Sequence, residues 1–311
     1  MKILEVSNLN KKIGEKTILN NISFTIEKGK VLAYLGHNGA GKTTTVRIIL
    51  GILDKTNGII KYNGKEIDYN SKDFDEIRKR FGVMLDTPAF YNEMTAYENL
   101  KIFASLYGLE KNLFDERLNY LSQYLEIKDF LNSKVKTFSK GMRQKISFIR
   151  AVIHYPEIVF MDEPMSGVDP VMRVKMRDLI EKLRDENKIS FFITSHDLAE
   201  MDKISDYVMI LEKGNILLYG EMNKIKEGKI IYKLTLNKNP DNSILNQLKD
   251  LFKTDEIELK DNIIMAKTDF KLEADKIFEF FKNLGYSITD MNKETYNLEK
   301  IYLETITRNE K

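Results

Sequence analysis

The residues best suited to chemistry in this chain fall at three places. The first is Gly36-His37-Asn38-Gly39-Ala40-Gly41-Lys42-Thr43, followed by Thr44, a full match to G-x-x-x-x-G-K-[ST]. Glycines at these spacings let the backbone fold tightly, so that successive amides point inward at phosphate oxygens. A helix beginning near Lys42 adds the positive end of its dipole. The Lys42 ammonium then reaches the β- and γ-phosphates, and the Thr43 hydroxyl can ligate Mg²⁺. Residues 36–44 are therefore the expected contacts to a nucleoside triphosphate.

The second place is Ile158-Val159-Phe160-Met161-Asp162-Glu163, an apolar run that delivers two carboxylates at its end. Such strand ends are where α/β sheets hold ligands. Alone the pattern is common. In one chain with a phosphate loop, Asp162 is expected to hold Mg²⁺ through water and Glu163 to polarise an attacking water. The third place is a pair of weaker signals. Ser139, in Phe138-Ser139-Lys140-Gly141-Met142-Arg143-Gln144-Lys145, is a good helix N-cap. His196 follows directly on Phe191-Phe192-Ile193-Thr194-Ser195.

The elements that position these residues alternate. Val31–Leu35 is strand-like, enters the glycine loop and is followed by a helix over 42–50, the order of a phosphate-binding βα unit. Ile22, Phe24 and Ile26 alternate with polar residues as in a half-buried strand, and Asn63-Gly64 marks a tight turn. Residues 95–133 carry apolar residues at helical spacing, and a further helix is expected over 140–154. Strands at 158–161 and 190–194 flank a helix from about Pro170 to Asn187. The alternation implies a mostly parallel sheet with an antiparallel lobe at the front. Near Glu227-Gly228-Lys229 the character changes, and the rest reads as strand, helix, two strands, helix, strand, helix.

Composition narrows the classes further. The 311 residues carry no cysteine, which excludes disulfides, thiolate metal sites and cysteine nucleophiles. The net charge of +2 gives no argument for nucleic acid. The charged start, Met-Lys-Ile-Leu-Glu-Val, is unlike a signal peptide. No stretch approaches the ~18 to 20 apolar residues of a membrane span, so any link to a membrane is expected to run through a partner.

Taken in order, the motifs resemble those of the ATP-binding subunits of ABC transporters. A Walker A loop (Gly36–Thr43) is followed by a helical insert and a signature-like Ser139-Lys140-Gly141-Met142-Arg143-Gln144. Then come Walker B (Asp162-Glu163), a D-loop-like Ser166-Gly167-Val168-Asp169 and a switch-like His196. The resemblance covers about residues 2–225. It implies a P-loop NTPase fold of ABC type, with a helical subdomain at about 90–155 inside a domain over 1–226. A small α+β domain follows over 227–311. It also implies ATP and Mg²⁺ as ligands, Glu163 as general base and His196 as γ-phosphate sensor. Two such domains sandwich two ATPs head to tail, so Ser139 and Gly141 are expected to touch nucleotide held by the other subunit. That subunit is a second copy or a homologous ATP-binding protein. The pair would drive a separate membrane permease from the cytoplasmic face.

Some positions depart from the family pattern. Ile13 falls where relatives place an adenine-stacking aromatic residue, which predicts weak base selectivity and acceptance of GTP. Asp86 falls at the Q-loop position, usually Gln, where a carboxylate can still reach Mg²⁺ or water. Lys140 replaces a glycine and Met142 a glutamine. Residues 297–303 resemble the ending of the ABC-2 exporter branch, which points to export. The other classes weighed are a soluble ABC-type ATPase and a nucleotide-gated regulatory module. One set of motifs and no sustained heptads argue against the first, and an intact Glu163 and His196 against the second.

Overall fold

A computed structural model describes residues 1–87, 89–227 and 230–309. The chain forms two compact units, Met1–Gly220 with the chain end from Thr305, and Glu221–Glu304.

The first unit opens with β1 (Lys2–Ile13) and β2 (Lys16–Glu27), whose inward residues are apolar and whose partners face out. After β3 (Val31–Leu35) and α1 (Lys42–Ile49), β4 (Asn57–Tyr62) and the short β5 (Lys65–Glu66) complete an antiparallel sheet of order β2-β1-β4-β5. The turn between β4 and β5 places Asn63 and Gly64 at positive φ, as its sequence demands. A six-residue helix α2 (Asp73–Arg78), not foreseen from the sequence, leads to β6 (Phe81–Met84).

The segment expected to be helical over 95–133 is two helices, α3 (Ala96–Leu106) and α4 (Lys111–Tyr124). Gly108, at φ 73°, turns the chain between them. The helix α5 (Lys140–Val152) follows, then β7 (Ile158–Asp162), α6 (Pro170–Asn187), β8 (Ser190–Ser195), α7 (Leu198–Ile204) and the hairpin β9 (Tyr207–Glu212) and β10 (Asn215–Glu221). These strands make a six-stranded sheet of order β10-β9-β3-β8-β7-β6, with β9, β3, β8, β7 and β6 parallel. The central strands β3, β7 and β8 are buried at every residue, as strands covered on both faces must be.

A run of rings packs the two sheets together. Phe24 stacks on Phe192 at 5.5 Å, Phe192 lies 5.9 Å from Phe160, Phe160 meets Phe81 edge-on at 5.3 Å, and Phe81 meets Tyr62 at 5.3 Å. Each buried ring contributes roughly 1.5–3 kcal/mol by leaving water, and aromatic pairing adds about 0.5–1.5 kcal/mol. This cluster fixes the floor from which β3, β7 and β8 present their C-terminal ends.

The second unit begins with the short α8 (Met222–Lys226), so the compact division precedes this helix, whereas the expected boundary follows it. Gly228 and Lys229, at which the sequence changes character, lie outside the described residues. Then come β11 (Ile230–Leu236), α9 (Leu245–Phe252), β12 (Ile257–Lys260), β13 (Ile263–Thr268), α10 (Ala274–Asn283), β14 (Ile288–Thr295) and α11 (Leu298–Asn309). The sheet order is β12-β13-β11-β14, antiparallel throughout. Leu248 and Phe252 of α9 and Ile277 and Phe281 of α10 pack with Tyr232, Leu234, Ile264 and Ala266.

Candidate functional site

Three parallel strands end at one cavity. Its volume is about 600 Å³, and its walls include His37, Asn38, Gly39, Gly41, Lys42, Thr43, Thr44, Asp86, Asp162 and Glu163. The geometry of the loop explains its glycines. A side chain at Gly36 would meet the Leu211 carbonyl at 2.4 Å, and one at Gly41, where φ is 117°, would meet Leu19 at 2.7 Å. Gly41 heads α1 with no side-chain cap, and the first turn holds no acidic residue. By contrast, Thr95, Ser139, Asp169 and Asp197 cap α3, α5, α6 and α7 with their own oxygens. The amides at the start of α1 are thus left for an anionic ligand.

Lys42 is buried, and its Nζ donates to the Gly36 carbonyl at 2.6 Å and the His37 carbonyl at 3.3 Å. Burial pushes its ammonium below the ordinary lysine range, and the Glu163 and Asp162 carboxylates pull it partway back. Nζ lies 3.8 Å from Glu163 Oε1. A buried ammonium held only by carbonyls and one distant carboxylate oxygen gains most from a polyanion.

Asp162 has both oxygens engaged by hydroxyls. Thr43 Oγ1 donates to Oδ2 at 2.8 Å, and Thr194 Oγ1 donates to Oδ1. Glu163 sits in left-handed backbone at φ 51°, a conformation that costs a non-glycine residue of order 1–3 kcal/mol. The turn is held by Glu163 N–H donating to the Thr194 carbonyl at 3.1 Å and by Ser166 N–H donating to the Glu163 carbonyl at 3.1 Å. His196 Nδ1 lies 2.8 Å from Glu163 Oε2. Glu163 Oε1 is buried without a hydrogen-bond partner.

Not every expected contact lies in the cavity. Gly36 contributes its carbonyl to Lys42 rather than a wall. Ala40 is buried, its amide turned back to the His37 carbonyl at 3.2 Å and its carbonyl accepting from Gly214 at 3.0 Å. Ala40 shapes the loop and does not face the cavity. His196 is 63% exposed and reaches the site through Glu163. Ser139 and Gly141 stand outside the walls. Ser139 spends its hydroxyl on the Met142 amide at 3.2 Å, and Lys140 Nζ donates to Ser166 Oγ at 3.0 Å. Ile13 is 57% exposed at the end of β1, and the apolar wall is Ile18 instead.

Comparison with known proteins decides the class. The ABC transporter family matches residues 19–166. The bacitracin transport ATP-binding protein BcrA of Bacillus licheniformis is 31% identical over 305 residues, spanning 98% of this chain and 97% of BcrA. This chain belongs to the ABC transporter family. The ABC transporter ATP-binding protein NatA of Bacillus subtilis is 37% identical over 212 residues, 68% of this chain and 85% of NatA. A solved ATP-binding subunit of an ABC transporter superposes with a TM-score of 0.67 and 28% identity, covering 72% of this chain and 92% of that one. The fold is therefore that of an ABC-type ATPase, and the chain is an ATP-binding subunit of this class.

As an ABC subunit the chain carries site residues that its motifs do not mark. Ile18, Arg47, Leu85 and Thr87 line the cavity. Arg47 follows Thr43 by one helical turn, a spacing that places the two on one side of α1. Thr194 is the other unmarked residue. Its only sequence signal is a hydroxyl that follows the apolar run Phe191-Phe192-Ile193 of β8.

Proposed function

We propose that this chain hydrolyses ATP to power export by a separate membrane permease, pairing head to tail with a second copy or a homologous ATP-binding subunit. The observation that carries the reading is the convergence of Lys42, Thr43, Asp162 and Glu163 on one cavity at the head of an uncapped helix. Lys42 and the amides of the loop and the start of α1 hold the phosphates, apart from that of Ala40, which is spent on the His37 carbonyl. His196 occupies one Glu163 oxygen, which leaves Oε1 to take the proton of a water as that water attacks the terminal phosphate.

The residues present fit Mg²⁺. A hydroxyl and a carboxylate 2.8 Å apart are hard oxygen donors of the kind this ion selects, and Asp86 adds a carboxylate to the same cavity. When bound, the ion neutralises charge on the phosphates.

Ser139 and Gly141 lie away from the cavity of their own subunit, which supports their action on nucleotide held by the partner. Among the described residues no helix is long and apolar enough to cross a membrane. Membership of the ABC transporter family supports attachment through a permease on the cytoplasmic face. The nearly end-to-end match to a bacitracin transport protein supports a peptide antibiotic as cargo. Phosphate release tests the reading. Wild type should hydrolyse ATP only with Mg²⁺, and Glu163→Gln should stop turnover while trapping an ATP-bound dimer. Loss of ATP binding in Glu163→Gln, or turnover indifferent to Mg²⁺, sinks it. Co-purification from membranes tests the permease.

A further inference from the structure

Thr194 is where the two carboxylate residues of the cavity are tied together. It is fully buried on β8, in register opposite Asp162 of β7. Its hydroxyl donates to Asp162 Oδ1 and lies 3.3 Å from the Glu163 amide, which also reaches the Thr194 carbonyl at 3.1 Å. A hydroxyl has a single proton, and a backbone N–H can only donate. The proton must therefore point at Asp162 while a lone pair receives Glu163 N–H.

Two consequences follow from that direction. With Oδ1 occupied by Thr194, the oxygen of Asp162 turned toward Thr43 and the phosphate loop is Oδ2. And Glu163, at φ 51°, has its own amide fastened to Thr194 at two atoms. One side chain thus sets both the rotation of the carboxylate expected to face Mg²⁺ and the backbone turn that aims the expected base.

We propose that Thr194 is a positioning residue for hydrolysis, acting through Asp162 on the metal and through Glu163 on the attacking water. The inference rests on the ATPase reading given above. Supporting hydrogen bonds of this kind change metal affinity or activity by about 10–100-fold when removed.

The test compares Thr194→Val, which keeps the shape and loses the hydroxyl, with Thr194→Ser, which keeps the hydroxyl. Turnover of ATP by the full chain is measured against Mg²⁺ concentration. Thr194→Val should lower kcat by about tenfold or more and raise the Mg²⁺ concentration at half-maximal rate several-fold, with KM for ATP little changed. Thr194→Ser should restore both values to near wild type. A purely structural role would lower the active fraction without moving the Mg²⁺ dependence. Should Thr194→Val fold poorly, Thr194→Ala gives the same two readouts. A folded Val or Ala variant with wild-type kcat and Mg²⁺ dependence overturns the proposal, and so does equal loss in Ser and Val. Wild-type and Glu163→Gln controls separate the failures. An inactive wild type sinks the ATPase reading, whereas an active wild type with a silent Glu163→Gln and an unchanged Thr194→Val sinks only the role of Thr194.

Discussion

The two units treat their buried polar groups in opposite ways. At the end of the parallel sheet, Lys42 is buried against carbonyls and Glu163 Oε1 has no hydrogen-bond partner. In the second unit the corresponding groups are consumed by the fold. Tyr232 OH donates to the Leu272 carbonyl at 3.2 Å and receives the Leu272 amide at 2.8 Å. Thr268 Oγ1 donates to the Phe252 carbonyl, and nearer the surface Lys267 pairs with Glu304 at 2.6 Å and Glu256 at 3.1 Å. Unpaired buried polar groups destabilise the free protein and are stabilised when a charged ligand arrives. The contrast separates a unit shaped for a ligand from one shaped for its own packing.

The largest effect that contrast implies is on turnover. Glu163→Gln should lower the rate of phosphate release by roughly 10²–10⁴-fold, the range for loss of a positioned base. Lys267→Ala removes a charge of similar exposure from two ion pairs in the second unit. It should leave turnover within about twofold and cost at most about 1 kcal/mol, as surface pairs do. Comparable losses of turnover from both variants would erase the distinction between the units.

A smaller effect tests the packing side. Phe281 is fully buried in the second unit's core, the cluster that also holds Tyr232 and Phe252. Phe281→Ala should destabilise that unit by about 3–5 kcal/mol, read by chemical denaturation, while ATP affinity is retained. Loss of nucleotide binding in step with the destabilisation would show that the cassette depends on the second unit for its own fold.

What the sequence revealed follows from how locally each feature is encoded. The phosphate loop and the Asp162-Glu163 pair were legible because their chemistry lies in consecutive residues. Thr194 and Ile18 were not, because β-sheet register and strand alternation bring them to the site from distant segments. Ile13 held the expected position by counting back from the loop, yet the antiparallel sheet turns the cavity wall over to Ile18. The helix α2 was missed because six residues give under two turns of periodicity. The second unit's element order was readable from alternation and turn residues. Its pairing of β11 between β13 and β14 was not, since nothing local specifies it.

His154 sharpens the comparison from the other side, because it is a part-buried group of the first unit, outside the cavity, with one ring nitrogen lacking a partner. Its ring stacks on Tyr107 at 3.7 Å, Nε2 lies 3.1 Å from the Phe81 carbonyl, and Nδ1 is buried without a partner. Burial first, and then the nearby Arg117 charge, drive its pKa down from 6.5 to about 4, against a partial rise from the Phe81 carbonyl. The folded value lies below the unfolded one, so the unfolded chain takes up a proton that the folded chain refuses. Stability is therefore present in full above about pH 6.5 and falls as pH drops toward 4, by about 2–3 kcal/mol. His154→Phe keeps the stack on Tyr107 and should flatten this part of the stability–pH curve. An unchanged slope would assign the acid sensitivity to other groups.

The smallest effect concerns the base. With Ile18 and Leu85 as the apolar wall and, among the described residues, no Phe, Tyr or Trp lining the cavity, the nucleobase loses a stacking platform worth about 1–3 kcal/mol. An aliphatic wall excludes water from either purine without reading its edge, so ATP and GTP should bind within about tenfold of each other. Ile18→Ala should weaken both by about three- to tenfold, as loss of a buried aliphatic contact does, while Ile13→Ala should weaken neither. Competition binding with the two nucleotides reads all six affinities, two each for wild type, Ile18→Ala and Ile13→Ala. A strong preference for ATP that survives Ile18→Ala would mean that a hydrogen-bonding group, and not an apolar wall, selects the base.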